Sequence, residues 1–215
     1  MTNVSATPEK VELRDRLWEI GVETLRAQGW EVERVAGSGK SSLRRITKGR
    51  LSKIATIRTT QDRWFAFPRT KDDKGWLTLD DSDCVVVVSV NEKEDPKFAW
   101  VHMFDQADIK KRLDRAYKVR QSANRQIPIG RGVWISLYRK DDGSPQLAGA
   151  GAGNDFPRIA EVPLQRGEPQ AVAVSAEPPR DSGGSMRPLS INEAKQGLAL
   201  TFGVDVSRIK ITVEA

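Results

Sequence analysis

Residues 43–60 read Leu43-Arg44-Arg45-Ile46-Thr47-Lys48-Gly49-Arg50-Leu51-Ser52-Lys53-Ile54-Ala55-Thr56-Ile57-Arg58-Thr59-Thr60, and the rest of the chain is organised around them. The runs 43–47 and 53–59 have strand character, and Lys48-Gly49-Arg50 between them supplies a hairpin connection. In the second run Ile54, Thr56 and Arg58 fall on one face, and Ala55 and Ile57 on the other. The hairpin lies inside a longer interval with no acidic residue between Glu33 and Asp62. That interval carries Arg34, Lys40, Arg44, Arg45, Lys48, Arg50, Lys53 and Arg58, with Ser38, Ser41, Ser42, Thr47, Ser52, Thr56, Thr59 and Thr60 between them. Cations interleaved with small hydroxyl donors suit a phosphate backbone.

Working outward, Thr7-Pro8-Glu9 has the signature of a helix start, and Val11, Leu17, Trp18, Val22 and Leu25 recur at helical spacing up to Gly29. A helix over 8–28 is predicted, then a strand through Trp30 and Val32. On the other side of the hairpin, 64–67 predicts a short strand ended by Pro68. Cys84-Val85-Val86-Val87-Val88 is apolar and β-branched throughout, the mark of a central strand covered on both faces. Residues 98–104 are expected to pair with it. Asp105 opens a second helix with Ile109, Leu113, Ala116 and Tyr117 inward, and 133–138 predicts a closing strand. The fold class is α/β (α+β), a mixed central sheet flanked by helices.

Composition changes at Asp141. Gly, Pro, Ala and Ser dominate to about Arg187, so 1–140 reads as a basic α/β domain and 141–187 as a Gly/Pro-rich linker. Ser190-Ile191-Asn192-Glu193 is a capping box, and 188–215 predicts a small helix–strand module. Such a module is too small to hold a core alone, so it is expected to dock on the main domain, a second copy or another protein.

Residues 1–140 carry 28 Lys and Arg against 19 Asp and Glu, while 141–215 carry 7 against 10. The excess at the front favours a polyanionic partner over a membrane. The longest apolar run is too short to span a membrane, and the first residues lack the pattern of a signal peptide, so a cytoplasmic protein is expected. One cysteine excludes an internal disulfide and a cysteine-based zinc site.

Four motifs bear on chemistry. Ala36-Gly37-Ser38-Gly39-Lys40-Ser41-Ser42 approaches a phosphate-binding loop, but Arg34 stands where its first glycine belongs, and a strand, not a helix, is expected after it. Lys110, Lys111, Arg112, Arg115, Lys118, Arg120, Arg125 and Arg131 form a second basic cluster, opposed within its span by Asp114. Trp64 and Trp76 are candidate stacking surfaces, whereas Trp18, Trp100 and Trp134 are expected in the core. His102 and Cys84 are expected to be packed inside, not to react.

The order of elements, with Ile54-Ala55-Thr56-Ile57-Arg58-Thr59-Thr60, Arg63-Trp64-Phe65-Ala66-Phe67 and Asp80-Asp81-Ser82-Asp83-Cys84-Val85-Val86, resembles the restriction-endonuclease-like, or PD-(D/E)XK, superfamily over residues 8–122. The resemblance is to its small homing-endonuclease-like members. It implies carboxylates and a lysine on the motif strand, holding magnesium. Here Thr56 stands at the acidic position and Arg58 at the lysine position, so the resemblance is to a degenerate member, a pseudoenzyme.

The expected function, with this resemblance, is therefore nucleic-acid binding, of DNA more readily than RNA, without cofactor. Lys40, Arg44, Arg45, Lys48, Arg50, Lys53, Arg58, Arg63, Trp64, Lys111, Arg115 and Lys118 are the contact residues. One alternative is an active magnesium-dependent nuclease whose relocated acids are Glu23, Asp62 and Asp83. Another is a protein-interaction module of a phage or plasmid conflict system.

Overall fold

The structure, a computed structural model, describes residues 7–35 and 42–164. Lys40, most of the glycine-rich loop, residues 165–187 and the module at 188–215 lie outside the described residues. Helix α1 (Pro8–Ala27) starts where the Thr-Pro-Glu signal predicts, although Thr7 makes no side-chain capping bond. Strands β1 (Glu31–Arg34), β2 (Leu43–Lys48) and β3 (Leu51–Thr60) follow as an antiparallel meander. Gly49 turns the β2–β3 hairpin at φ 59°, where a side chain is disfavoured. Next come β4 (Trp64–Pro68), β5 (Cys84–Val90), β6 (Phe98–Asp105) and helix α2 (Gln106–Ser122). Strand β7 (Gly132–Ser136), the single turn α3 (Ala152–Asp155) and β8 (Ala160–Pro163) complete the described chain.

The main sheet has the order β1-β2-β3-β5-β6-β8, and its pairings are antiparallel except β3–β5, which runs parallel from Ala55↔Cys84 to Thr60↔Ser89. Every residue of β5 is buried, because both faces of this strand are covered. On one face Leu17, Ile20 and Leu25 of α1 pack with Ile46, Ala55, Ile57, Cys84, Val86 and Val88. On the other, α2 and β4 and β7 cover Val85, Val87 and Phe104 with Phe65, Phe67, Ile109, Leu113, Val133 and Ile135. The alternation read on β3 is thus real. Ala55 and Ile57 join the α1 core, while Thr56 and Arg58 face the α2 side. Among the described residues no helix is long and apolar enough to cross a membrane.

Three expectations need correction. The strand expected to close the domain, β7, does not: it pairs with β4 alone, in a separate two-stranded sheet, and β8 follows it. Two tryptophans are exchanged in role. Trp76 is 1% exposed and donates from Nε1 to Asp114, so it is core, whereas Trp134 is 51% exposed on the uncovered face of that small sheet.

The third concerns the linker, whose described part, 141–164, belongs to the fold. Strand β8 pairs with β6 from Phe98↔Pro163 to Val101↔Ala160. Before it, residues 141–155 are tied down by hydrogen bonds instead of apolar periodicity. Asp141 accepts from Arg115 Nε (2.7 Å) and from the backbone N–H groups of Gly143 and Gly149, both 2.8 Å. These donors hold its carboxyl down at about 2. Gly149 sits against α2 so closely that a Cβ there would lie 2.2 Å from the Arg112 carbonyl oxygen.

Candidate functional site

The acid-free run folds into a hairpin that reaches past the rest of the sheet. Strand β5 begins opposite Ala55, and β1 covers β2 from Arg44 to Thr47, so residues 48–53 have strand neighbours only within the hairpin. Lys48, Gly49, Arg50, Leu51 and Ser52 at its end are all exposed. Among the described residues Arg45, Lys48, Arg50 and Lys53 enter no ion pair, so their charges are left for a partner or for solvent.

The strand period divides these cations between two faces. Towards α1, the Arg44 guanidinium stacks 4.7 Å from the Trp18 ring centre, and Lys48 donates to the Gln28 carbonyl at the end of α1 (2.8 Å) beside Trp30. Burial, then the neighbouring Arg34, holds the Arg44 pKa below its usual value. These contacts fix the two side chains and leave their charges in place. Lys53 lies opposite Ile46 on the same face. Arg45 points to the other face, exposed, across from Glu33 on β1. Arg50 is at the turn. Arg63 lies beyond the far end of β3, in a corner at φ 63°, where it donates to the Asn91 carbonyl; Trp64 follows it on β4.

Arg58 stands apart from this surface. It crosses the Phe67 ring at 4.4 Å and donates from Nη2 to Thr78 Oγ1 (2.6 Å). Burial, with no counter-charge to offset it, pushes its pKa down to about 10. Arg44, Thr56 and Arg58 therefore do not converge: the first faces α1, and the other two face the opposite side.

The second basic cluster serves mainly as internal fastening. Arg112 binds Asp108, Asp155 and the Ala150 carbonyl, Arg115 binds Asp141, and Arg120 donates to the carbonyls of Pro145 and Trp134. Lys110 pairs with Asp80 at 2.6 Å. Arg112, Arg115 and Arg120 hold the segment that sequence reading assigns to a linker. Of the contact residues expected on this helix, Lys111 and Lys118 are exposed, and Arg115 is committed to Asp141.

The three acids of the nuclease alternative are not brought together. Glu23 sits on α1 at 3.5 Å from Arg16. Asp83 accepts from the Ile54 backbone N–H near the start of β3, and Asp62 accepts from Thr60 Oγ1 just beyond its end. Ile54 and Thr60 are roughly 20 Å apart at the usual rise of a strand. Among the described residues no group of three or more His, Cys, Asp or Glu side chains could hold a metal ion.

Comparison of the chain with known protein families, curated proteins and solved structures finds no match.

His102 and Cys84 are packed, as expected. His102 is fully buried, stacked on Phe104 at 5.4 Å, and its Nε2 lies 3.0 Å from Tyr138 Oη, a partner 36 residues away that no local pattern announces. Tyr138 Oη also lies 3.2 Å from Ser89 Oγ. Burial, then the nearby Arg158, pushes the His102 pKa down to about 4. Burial likewise pushes the Cys84 thiol up to about 11, which keeps it un-ionised and poorly nucleophilic.

Proposed function

We propose that this protein binds nucleic acid, duplex DNA by preference, through the β2–β3 hairpin, and that it does so without cutting. The observation that carries the reading is the hairpin itself. It is a two-stranded ribbon with an exposed end, cations on both faces and at its turn, and no ion pair at Arg45, Lys48, Arg50 or Lys53 among the described residues. A ribbon of this width enters a major groove, and cations on both of its faces would meet the phosphates of the two bordering strands. The order α1, three-strand meander, buried parallel strand favours the nuclease-like relationship, and Thr56 and Arg58 in place of an acid and a lysine favour its degenerate form.

The test is fluorescence anisotropy with a labelled duplex at a series of salt concentrations. With five phosphates neutralised, log affinity should fall against log salt with a slope near −4 to −5, by about 0.9 per phosphate contact. The combined change Arg45→Gln, Arg50→Gln and Lys53→Gln should flatten that slope by about 3. A salt-independent affinity, or a slope untouched by the three changes, overturns the reading. Supercoiled plasmid incubated with magnesium or manganese should stay intact, and nicking that Asp62→Ala or Glu23→Ala removed would favour the active nuclease instead.

A further inference from the structure

Arg58 presents an unsolved balance of charge. Its guanidinium lies mostly away from water against Phe67, and among the described residues it meets no carboxylate. Its Nε is buried with no acceptor. Two positions back on the same face of β3, Thr56 is fully buried and its Oγ1 also has no partner. An uncompensated buried ion and an orphaned hydroxyl each destabilise a fold. Packing alone would favour valine at the first position and an apolar residue at the second.

A third cost lies across from them. Thr78 is β-branched yet sits at φ 67°, a strained conformation for such a residue. Its Oγ1 donates to the Leu77 carbonyl and accepts from Arg58 Nη2, both at 2.6 Å. The strained turn therefore fixes where the guanidinium points.

We propose that Thr56 and Arg58 form a site for one compact oxyanion of phosphate or sulfate size, held as the counter-ion of Arg58, with Thr78 as the positioning residue. The anion would accept from the Arg58 Nε–H and from the Thr56 hydroxyl, so both orphaned donors are satisfied in one step. Arg58 keeps part of its surface in solvent, whereas its Nε and the Thr56 hydroxyl are covered, so the anion would reach these two donors only on a local opening. The site faces the α2 side of the sheet, whereas Arg44 and Lys48 face α1, and it takes a single anion. It does not depend on the nucleic-acid reading.

The experiment is a titration of the full chain with inorganic phosphate, following the side-chain Nε–H resonance of Arg58 by nitrogen-15 NMR. The resonance is assigned by its loss in Arg58→Gln. Saturable movement is expected, beyond that produced by sodium chloride at equal ionic strength. Thr56→Val keeps the shape of the side chain and removes the orphaned hydroxyl. It should fold with unchanged or higher stability and weaken phosphate binding about tenfold or more, the effect of one hydrogen bond to a charged group. Arg14→Gln, at an exposed arginine of α1 on the other side of the sheet, should leave phosphate binding unchanged.

A parallel titration with a short oligonucleotide, with and without a 5′-phosphate, identifies the source of the anion. Saturation by the phosphorylated form at concentrations where inorganic phosphate has no effect makes it a nucleic-acid terminus. Saturation by inorganic phosphate makes it the free ion. No saturable movement with any of these, or movement that Thr56→Val leaves unchanged, overturns the proposal. Failure of the salt test on the hairpin would not touch it, and its own failure would leave that test standing.

Discussion

His102 shows how burial turns a titratable residue into a pH-dependent term in stability. It is the chain's one histidine, and its folded pKa, near 4, lies below the ordinary value of 6.5. The unfolded chain therefore takes up a proton before the folded one does. The stability contributed by neutral His102 is fully present above about pH 6.5 and is lost as pH falls towards 4, a decline on the order of 3 kcal/mol. Urea unfolding between pH 7 and 4 should show this loss, and His102→Gln should flatten it. The single histidine C2–H resonance should stay constant between pH 7 and 5; a midpoint near 6.5 would contradict the burial. At this scale the sequence was informative about faces and poor about partners. Thr56 and Arg58 were placed on the correct side of β3 by alternation alone. Tyr138 as the partner of His102 and Asp141 as the partner of Arg115 were not visible, because each pair is joined only by tertiary contact. Trp76 and Trp134 were misassigned for a related reason: one sits in a turn without periodicity, and the other on a sheet face that nothing covers.

Elements that depend on periodicity were legible, and those that depend on hydrogen bonds were not. Helices α1 and α2 and strands β2 to β6 lie where the patterns put them, since each buries an apolar stripe. Residues 141–151 bury backbone and alanines against α2 and are fastened by Arg112, Arg115 and Arg120, so their Gly- and Ala-rich composition resembled a linker. Gly149 tests this docking. It sits at φ 79°, and an added Cβ would meet the Arg112 backbone. Gly149→Ala should cost about 2 kcal/mol or more in urea unfolding, whereas Gly49→Ala, at the open hairpin turn, should cost about 1 kcal/mol, for its backbone strain alone. Equal costs at the two glycines would contradict the docking of 141–151 on α2.

For the whole molecule, the boundary of the folded unit moves. A domain ending at residue 140 would lose β8 and uncover one edge of β6, and would break the ties from Arg112, Arg115 and Arg120 to their partners between 141 and 155. A chain of residues 1–164 should melt in one cooperative transition by circular dichroism, and a chain of residues 1–140 should show none or melt about 4–8 °C lower or more, as about 2 kcal/mol or more is worth in a domain of this size. Matching melting curves would restore the earlier boundary. The basic character of the front half needs the same revision. Much of the charge on α2 is spent inside the protein, and the part left for a polyanion is concentrated on one hairpin.

The parallel seam between β3 and β5 has a consequence for how the chain reaches this structure. The hairpins β2–β3 and β5–β6 join neighbours in sequence and can close quickly. Their union aligns Ala55 with Cys84, so the whole of 61–83 must be looped out before any contact across the seam repays its lost entropy. Non-local pairing of this kind slows folding. The meeting of the two hairpins, which brings Val86 and Val88 against Ile57 and α1, is then the step expected to be slow. The basic ribbon would exist before the sheet that supports it.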